Sequence, residues 1–258
     1  MEWSRRLDTR IRTIWALVVR DTQMLREGKR LGYFEVYWNP LLLLACFMVL
    51  RTAIRGQFSA ESLEPEMLVP GFALFFIFRD LLGKGIGLGR PVSHVFHFPR
   101  ITVLDYFTAH AIISWTIYII LLVVVLGFFA AFGWSFDLTQ WIWLVAGVAF
   151  IFWFSLGSTL VVWSLMVRFP WLGLFLGILN RMLFWVSGVF FAPTSMPANM
   201  QVIIAWNPIS QCLQMARAGL GVPTPPVFLN YTYVMICTVS LLVLGLLLAL
   251  HAEKVYRK

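Results

Sequence analysis

Charge is scarce in this sequence. Asp, Glu, Lys and Arg make up 12% of its 258 residues, against about 25% in soluble domains. Hydrophobic residues make up 60%, more than one soluble core can bury, so lipid is the expected solvent. Cysteine is nearly absent: Cys46, Cys212 and Cys237 fit no metal or redox spacing and read as free thiols. No G-x-x-x-x-G-K-[ST] phosphate loop occurs, so the chain has no nucleotide site of its own. The Gly83–Gly89 alternation follows an apolar helix rather than a strand and reads as a pliable helix end. His94 and His97 lack further ligands, and no Ser–His–acid or paired-carboxylate pattern stands out. Catalysis and metal binding therefore find no support. The first thirty residues are charged and do not read as a secretory signal peptide.

What is present is a series of long apolar runs. A spanning helix needs about 20 apolar residues, and six segments qualify: 33–55, 67–88, 104–132, 139–167, 171–192 and 227–250. Lys and Arg alternate between the connections. Residues 1–32, the loop with Lys84, Arg90 and Arg100, Arg168, and the tail with Lys254, Arg257 and Lys258 are basic; the intervening loops are poor in Lys and Arg, with Glu61, Glu64 and Glu66 in one, Asp137 in the next and only Arg217 in the third. The positive-inside rule places the basic side, with both termini, in the cytoplasm. It also accounts for the net charge of +8 without nucleic acid.

The fold class expected is all-α integral membrane: six transmembrane helices in one domain, 1–258. Residues 1–32 form a cytoplasmic interface helix, because Ile11, Ile14, Trp15, Val18 and Leu25 recur at helical spacing; a plain soluble leader is the alternative. Residues 33–192 hold helices one to five, 227–250 helix six, and 251–258 the tail. Residues 193–226 read as a periplasmic re-entrant hairpin of two short helices, broken at Asn207 because proline disfavours helix at the residue before it.

Arg181 sits near the middle of the fifth segment. An intramembrane charge usually faces a bundle interior or an aqueous path, so two roles stay open: contact with an anionic substrate, or a structural bond to carbonyls. Arg51 and Arg55 near the outer end of the first segment either guide the same substrate or snorkel to the interface. The aromatics Phe72, Phe75, Phe76, Phe150, Phe154 and Trp185 are candidates for lining a path with flat apolar faces, or else pack against lipid and neighbours.

Several motifs together resemble one family, the ABC-2-type permeases of bacterial capsular polysaccharide export. They are Arg30-Leu31-Gly32-Tyr33 leading to Asn39-Pro40, Pro70-Gly71 with Phe75-Phe76-Ile77-Phe78, and Phe96-His97-Phe98-Pro99-Arg100. Arg168-Phe169-Pro170, Ser187-Gly188-Val189-Phe190-Phe191, Met196-Pro197, Trp206-Asn207-Pro208 and Ala216-Arg217 complete the series. Asn39 and Gln214 stand where the family often has Glu. The resemblance implies a homodimeric permease of the inner membrane, driven by two copies of a separate ATPase that binds ATP and Mg; this chain binds no cofactor. The substrate implied is a lipid-linked, acidic polysaccharide, handed on to a periplasmic co-polymerase and an outer-membrane exporter. The loop with Arg90, Val95, His97, Phe98, Pro99 and Arg100 would couple to the ATPase. Pro197, Asn207, Pro208, Gln214 and Arg217 would organise the hairpin. Export of O-antigen or teichoic-acid polymer is the alternative within the class, with drug or lipid export behind it. A secondary transporter or channel would need intramembrane carboxylates, and Glu35, Asp80 and Asp105 are expected at the cytoplasmic ends.

Overall fold

The computed structural model describes residues 2–27, 32–55, 64–88 and 102–256. Among them all regular structure is helical: α1 (Glu2–Glu27), α2 (Gly32–Arg55), α3 (Pro65–Leu88), α4 (Val103–Ala131), α5 (Trp141–Arg168), α6 (Leu172–Val186), α7 (Ala198–Ala205), α8 (Pro208–Ala218) and α9 (Tyr231–Tyr256). Three stretches have the length and apolarity to cross a membrane: α4, α5 and Pro226–Lys254. The other expected spans form helices with reasons to differ. α3 carries Arg79, Asp80 and Lys84 in its second half, and α2 has a shorter apolar stretch, Pro40–Leu50.

The fifth expected span, 171–192, needs a correction. α6 stops at Val186 after 15 residues, about 22 Å at 1.5 Å per residue. The backbone turns at Gly188, whose φ is +70°, a conformation natural to glycine. The hairpin expectation fares differently. Short helices α7 and α8 flank Asn207, whose backbone is extended (φ −85°, ψ 111°). Pro208 takes the first position of α8, where its missing N–H costs nothing.

Local chemistry sets the helix ends. Thr102 caps α4: its hydroxyl accepts from the Asp105 N–H at 3.2 Å, and Asp105 Oδ2 accepts from the Thr102 N–H at 3.2 Å. This reciprocal pair satisfies two otherwise orphaned donors. At the far end, the Asp137 carboxylate accepts from the backbone and hydroxyl of Thr139 and shapes the turn into α5. Both bonds hold its carboxyl below the ordinary carboxylate range.

α5 is the hub, packed against α9, α3 and α8. Small residues allow the approach. A Cβ on Gly157 would stand 2.9 Å from the Leu242 nitrogen, and one on Gly245 would stand 2.7 Å from the Gly157 carbonyl, so α5 and α9 touch backbone to backbone. Gly147 does the same for α8, where a Cβ would meet the Cys212 carbonyl at 2.6 Å. The polar residues of α5 bond back into their own helix: Ser158 to the Phe154 carbonyl, Thr159 to Ser155 and Ser164 to Leu160, each at 2.7 Å. They thereby remain satisfied without water.

Gly157→Leu should therefore force α5 and α9 apart. Overpacking of this kind costs about 1–3 kcal/mol. The expected outcome is a lower melting temperature in detergent, while Gly87→Leu, where nothing lies within 4 Å of the added Cβ, should leave it unchanged.

Candidate functional site

Two constructions dominate: a buried arginine that ties three segments together, and a groove between α2, α3 and α6.

The buried arginine is Arg217 on α8, 0% exposed. Its Nε donates to the Met67 carbonyl at 2.8 Å, Nη1 to Gly188 at 2.8 Å and Phe191 at 3.5 Å, and Nη2 to Val189 at 2.6 Å. Gly188 to Phe191 are the residues where the chain leaves α6 and can no longer supply helical partners to its own carbonyls. The guanidinium supplies them instead, with a planar set of five donors. Gly71 makes room, since a Cβ there would lie 2.6 Å from Nη2. Pro70-Gly71, Ser187 to Phe191 and Arg217, separate motifs in sequence, are one assembly in space.

The rest of the hairpin is bonded to its surroundings. Asn207 Oδ1 accepts from the Ile209 N–H at 3.0 Å, and its Nδ2 donates to the Ser187 hydroxyl at 3.2 Å. Gln211 donates to the carbonyls of Ala205 and Val227 and accepts from the Asn230 N–H. Pro197 sits at the N-terminus of α7. Gln214 is buried, and its Nε2 has no hydrogen-bond partner among the described residues.

The groove holds two cavities. The first, about 610 Å³, is lined by Leu43, Phe76, Arg79, Asp80, Gly83, Lys84, Tyr118 and Asn180. The second, about 500 Å³, is lined mostly by apolar residues, among them Phe47, Leu68, Trp185, Phe190 and Phe191. Aromatic rings connect them. Phe76 stacks on Phe72 at 6.0 Å between ring centroids, Phe72 meets Phe190 at 5.3 Å, and Phe190 lies 4.0 Å from Phe47 and 5.2 Å from Trp185. Phe184 packs beneath, 5.7 Å from Phe72 and 5.8 Å from Trp185.

The residues singled out from the sequence fall in different places. Phe76 lines the first cavity and Trp185 the second, with Phe72 buried in the wall between them. Phe75 and Phe154 are buried in the core, Phe150 is half-buried on α5, and none of the three lines either cavity. Arg181 is not buried as expected: it is exposed on the surface of the chain. α6 packs one side against α3, and its neighbour Asn180 faces inward, while Leu174, Ile178, Met182 and Trp185 share the bare side. The side chains of Arg51 and Arg55 lie outside the described residues, as do all of Arg90, Val95, His97, Phe98, Pro99 and Arg100. Of the carboxylates expected at helix ends, Asp105 belongs to the α4 cap, whereas Asp80 lies eight residues before the end of α3 and accepts from the Ser114 hydroxyl at 2.5 Å; the Glu35 side chain lies outside the described residues.

Sequence reasoning missed Asn180, Arg79 and Lys84 as groove residues; for Arg79 and Lys84 the spacing with Phe76 and Asp80 along α3 was the available signal, while Asn180 comes from α6. It also missed the docking of α1. His110 Nε2 on α4 lies 3.1 Å from Asp21 Oδ2, and Arg20 holds the other carboxylate oxygen at 2.8 Å. Ile11, Trp15 and Val19 form an exposed apolar stripe on the same helix. No cluster of three or more His, Cys, Asp or Glu among the described residues could hold a metal ion.

Helices of lipid-crossing length, with irregular backbone satisfied from within the protein, define the class as an integral membrane protein. No family model matches the sequence. The chain is nevertheless similar along most of its length to inner-membrane components of capsule export, which bears out the resemblance read from its motifs. It is 25% identical over 222 residues to the polysialic acid transport protein KpsM of Escherichia coli, covering 85% of this chain and 86% of that protein. It is 25% identical over 251 residues to the capsule polysaccharide export inner-membrane protein BexB of Haemophilus influenzae, covering 94% and 92%. To the corresponding protein CtrC of Neisseria meningitidis serogroup B it is 21% identical over 235 residues, covering 91% and 89%.

Removing the Arg217 side chain leaves several buried carbonyls without partners, each costing about 1–3 kcal/mol. Arg217→Ala should therefore sharply reduce the yield of monodisperse protein on size-exclusion chromatography. Arg217→Lys, which keeps the charge but not the fork, should be intermediate, and Gly71→Leu should resemble the alanine variant. A wild-type melting temperature for Arg217→Ala would rule out the structural role.

Proposed function

We propose that this chain is the permease subunit of an ATP-driven exporter that carries a lipid-linked, acidic capsular polysaccharide across the inner membrane. The observation that carries this reading is its similarity over 85% or more of its length to KpsM, BexB and CtrC. The groove supports it. A sliding polymer needs many weak contacts, and ring faces supply contact area with little directional demand.

In this reading α2, α3, α4, α5, α6 and α9 all cross the membrane, both termini are cytoplasmic, and α7 and α8 form a re-entrant hairpin on the periplasmic side. α1 lies on the cytoplasmic surface with Ile11, Trp15 and Val19 in the lipid interface. Two copies associate through faces such as the bare side of α6, which brings Arg181 and Trp185 toward the shared path, with Arg51 and Arg55 nearby. Two ATPase copies, binding ATP and Mg, dock on the loop containing Arg90 to Arg100. A periplasmic co-polymerase and an outer-membrane exporter receive the polymer.

Deletion of the gene should trap polymer in the cytoplasm, seen by immunofluorescence after permeabilisation, and a plasmid copy should return it to the surface. Normal surface capsule in the deletion strain would sink the reading. Because Arg181 is exposed in the protomer, Arg181→Ala should keep normal yield and stability while export falls by about tenfold or more, as expected where an arginine offsets a desolvated anion. Unchanged export in that variant would take Arg181 off the path. For coupling, Arg100→Glu should leave the complex assembled but break the link between ATP hydrolysis and export, measured as ATPase activity beside surface capsule.

A further inference from the structure

The first cavity of the groove is built differently from the second. Its chemistry comes largely from one side of α3, where Phe76, Asp80 and Lys84 recur every four residues with Arg79 and Gly83 beside them. The Arg79 guanidinium lies 5.2 Å from the centre of the Phe76 ring. Neither Arg79 nor Lys84 makes an ion pair among the described residues, and with Asp80 beside them the cavity lining carries two cations to one carboxylate. Across from them, Asn180 of α6 is 8% exposed. Its Nδ2 donates to the Arg79 carbonyl at 3.2 Å, and its enclosed Oδ1 has no hydrogen-bond partner among the described residues. Tyr118 adds a second ring face, 5.8 Å from Phe76.

Each element narrows what can bind. Two cations against one carboxylate leave the lining net positive, which favours an anion. The Asp80 carboxylate is an acceptor; it repels a bare anion but accepts from hydroxyl groups. The faces of Phe76 and Tyr118 suit the flat apolar side of a ring. A lipid tail would use none of the polar groups, and a neutral sugar would leave both cations unsatisfied. At about 610 Å³ the cavity falls in the roughly 300–1,000 Å³ range of small-ligand sites.

The geometry points to this cavity as a binding site for a sugar carrying an anionic group, with Arg79 and Lys84 on the anion, Asp80 on hydroxyls, and Phe76 and Tyr118 against the ring. This rests on the permease reading and deepens it: the site grips either an acidic sugar of the polymer or the phosphorylated sugar at its lipid linkage, two sources with one chemistry. Gly83 shapes the space, because a Cβ placed there meets nothing within 4 Å. A larger side chain at 83 can therefore fill the cavity without disturbing the packing.

The test uses the full chain in phosphatidylcholine nanodiscs and isothermal titration with N-acetylglucosamine 1-phosphate and with glucuronic acid; neutral N-acetylglucosamine and inorganic phosphate are the controls. At least one anionic sugar should bind about tenfold or more tightly than both controls, and the stronger of the two identifies the source. Losing one charge-assisted contact should weaken binding about tenfold in Arg79→Gln and in Lys84→Gln. Gly83→Leu should abolish binding at an unchanged melting temperature. Phosphate binding as tightly as the sugar phosphate, no binding of either anionic sugar, or undiminished binding in all three variants would overturn the assignment. A parallel arm separates the two claims. If the wild-type gene fails to restore surface capsule to the deletion strain, the permease reading falls. If wild type and all three variants restore it equally, only the cavity assignment falls.

Discussion

The guanidinium of Arg217 is the contact on which the arrangement depends. A helix that stops inside the protein at Val186 exposes carbonyls that lipid cannot satisfy. Arg217 reaches from α8 to bond Gly188, Val189 and Phe191, and with its remaining nitrogen it holds the first turn of α3 at Met67. One side chain thus fixes the end of α6, the seat of α8 and the start of α3. The buried charge is tolerated because every one of these bonds is charge-assisted and none requires a water molecule.

Around that clamp, backbone contact replaces the hydrophobic effect as the organising force. In lipid, burying one apolar side chain against another gains little, so helix association relies on close packing. Gly147, Gly157 and Gly245 let α5 lie against α8 and α9 at distances no side chain would permit. The rigid α5 core leaves α2 and α6 as the more lightly held walls on the α3 side, and the groove with its two cavities lies between them. The groove is graded: charges at one end, aromatic rings along its length, an apolar chamber at the other. Such a gradient suits a charged, ringed chain that must be held first and then slide.

The division between what could be read and what could not is physical. Segments of about 20 apolar residues can only be helices in lipid, so α4, α5 and α9 were legible within a few residues. The proline at 208 and the asparagine before it marked the α7–α8 break through local backbone sterics. The premature end of α6 was not legible, because Ser187 to Phe191 is apolar enough to continue a helix, and only the distant Arg217 makes stopping there affordable.

The same limit governs the site. Composition and spacing alone determined that this is a helical membrane chain with a strong basic asymmetry, and its motifs carried the resemblance to capsule exporters, because these are properties of single segments. Tertiary packing decided which arginine is buried. Arg181 and Arg217 both sit in apolar surroundings along the chain, but α6 is covered on one side and α8 on all sides, so the first is exposed and the second enclosed. It likewise decided that Phe75 and Phe154 are core while Phe76 and Trp185 line cavities, and that Arg79, Lys84 and Asn180 meet at one of them. Those outcomes depend on which helices lie against which, a relation no periodicity within one helix can specify.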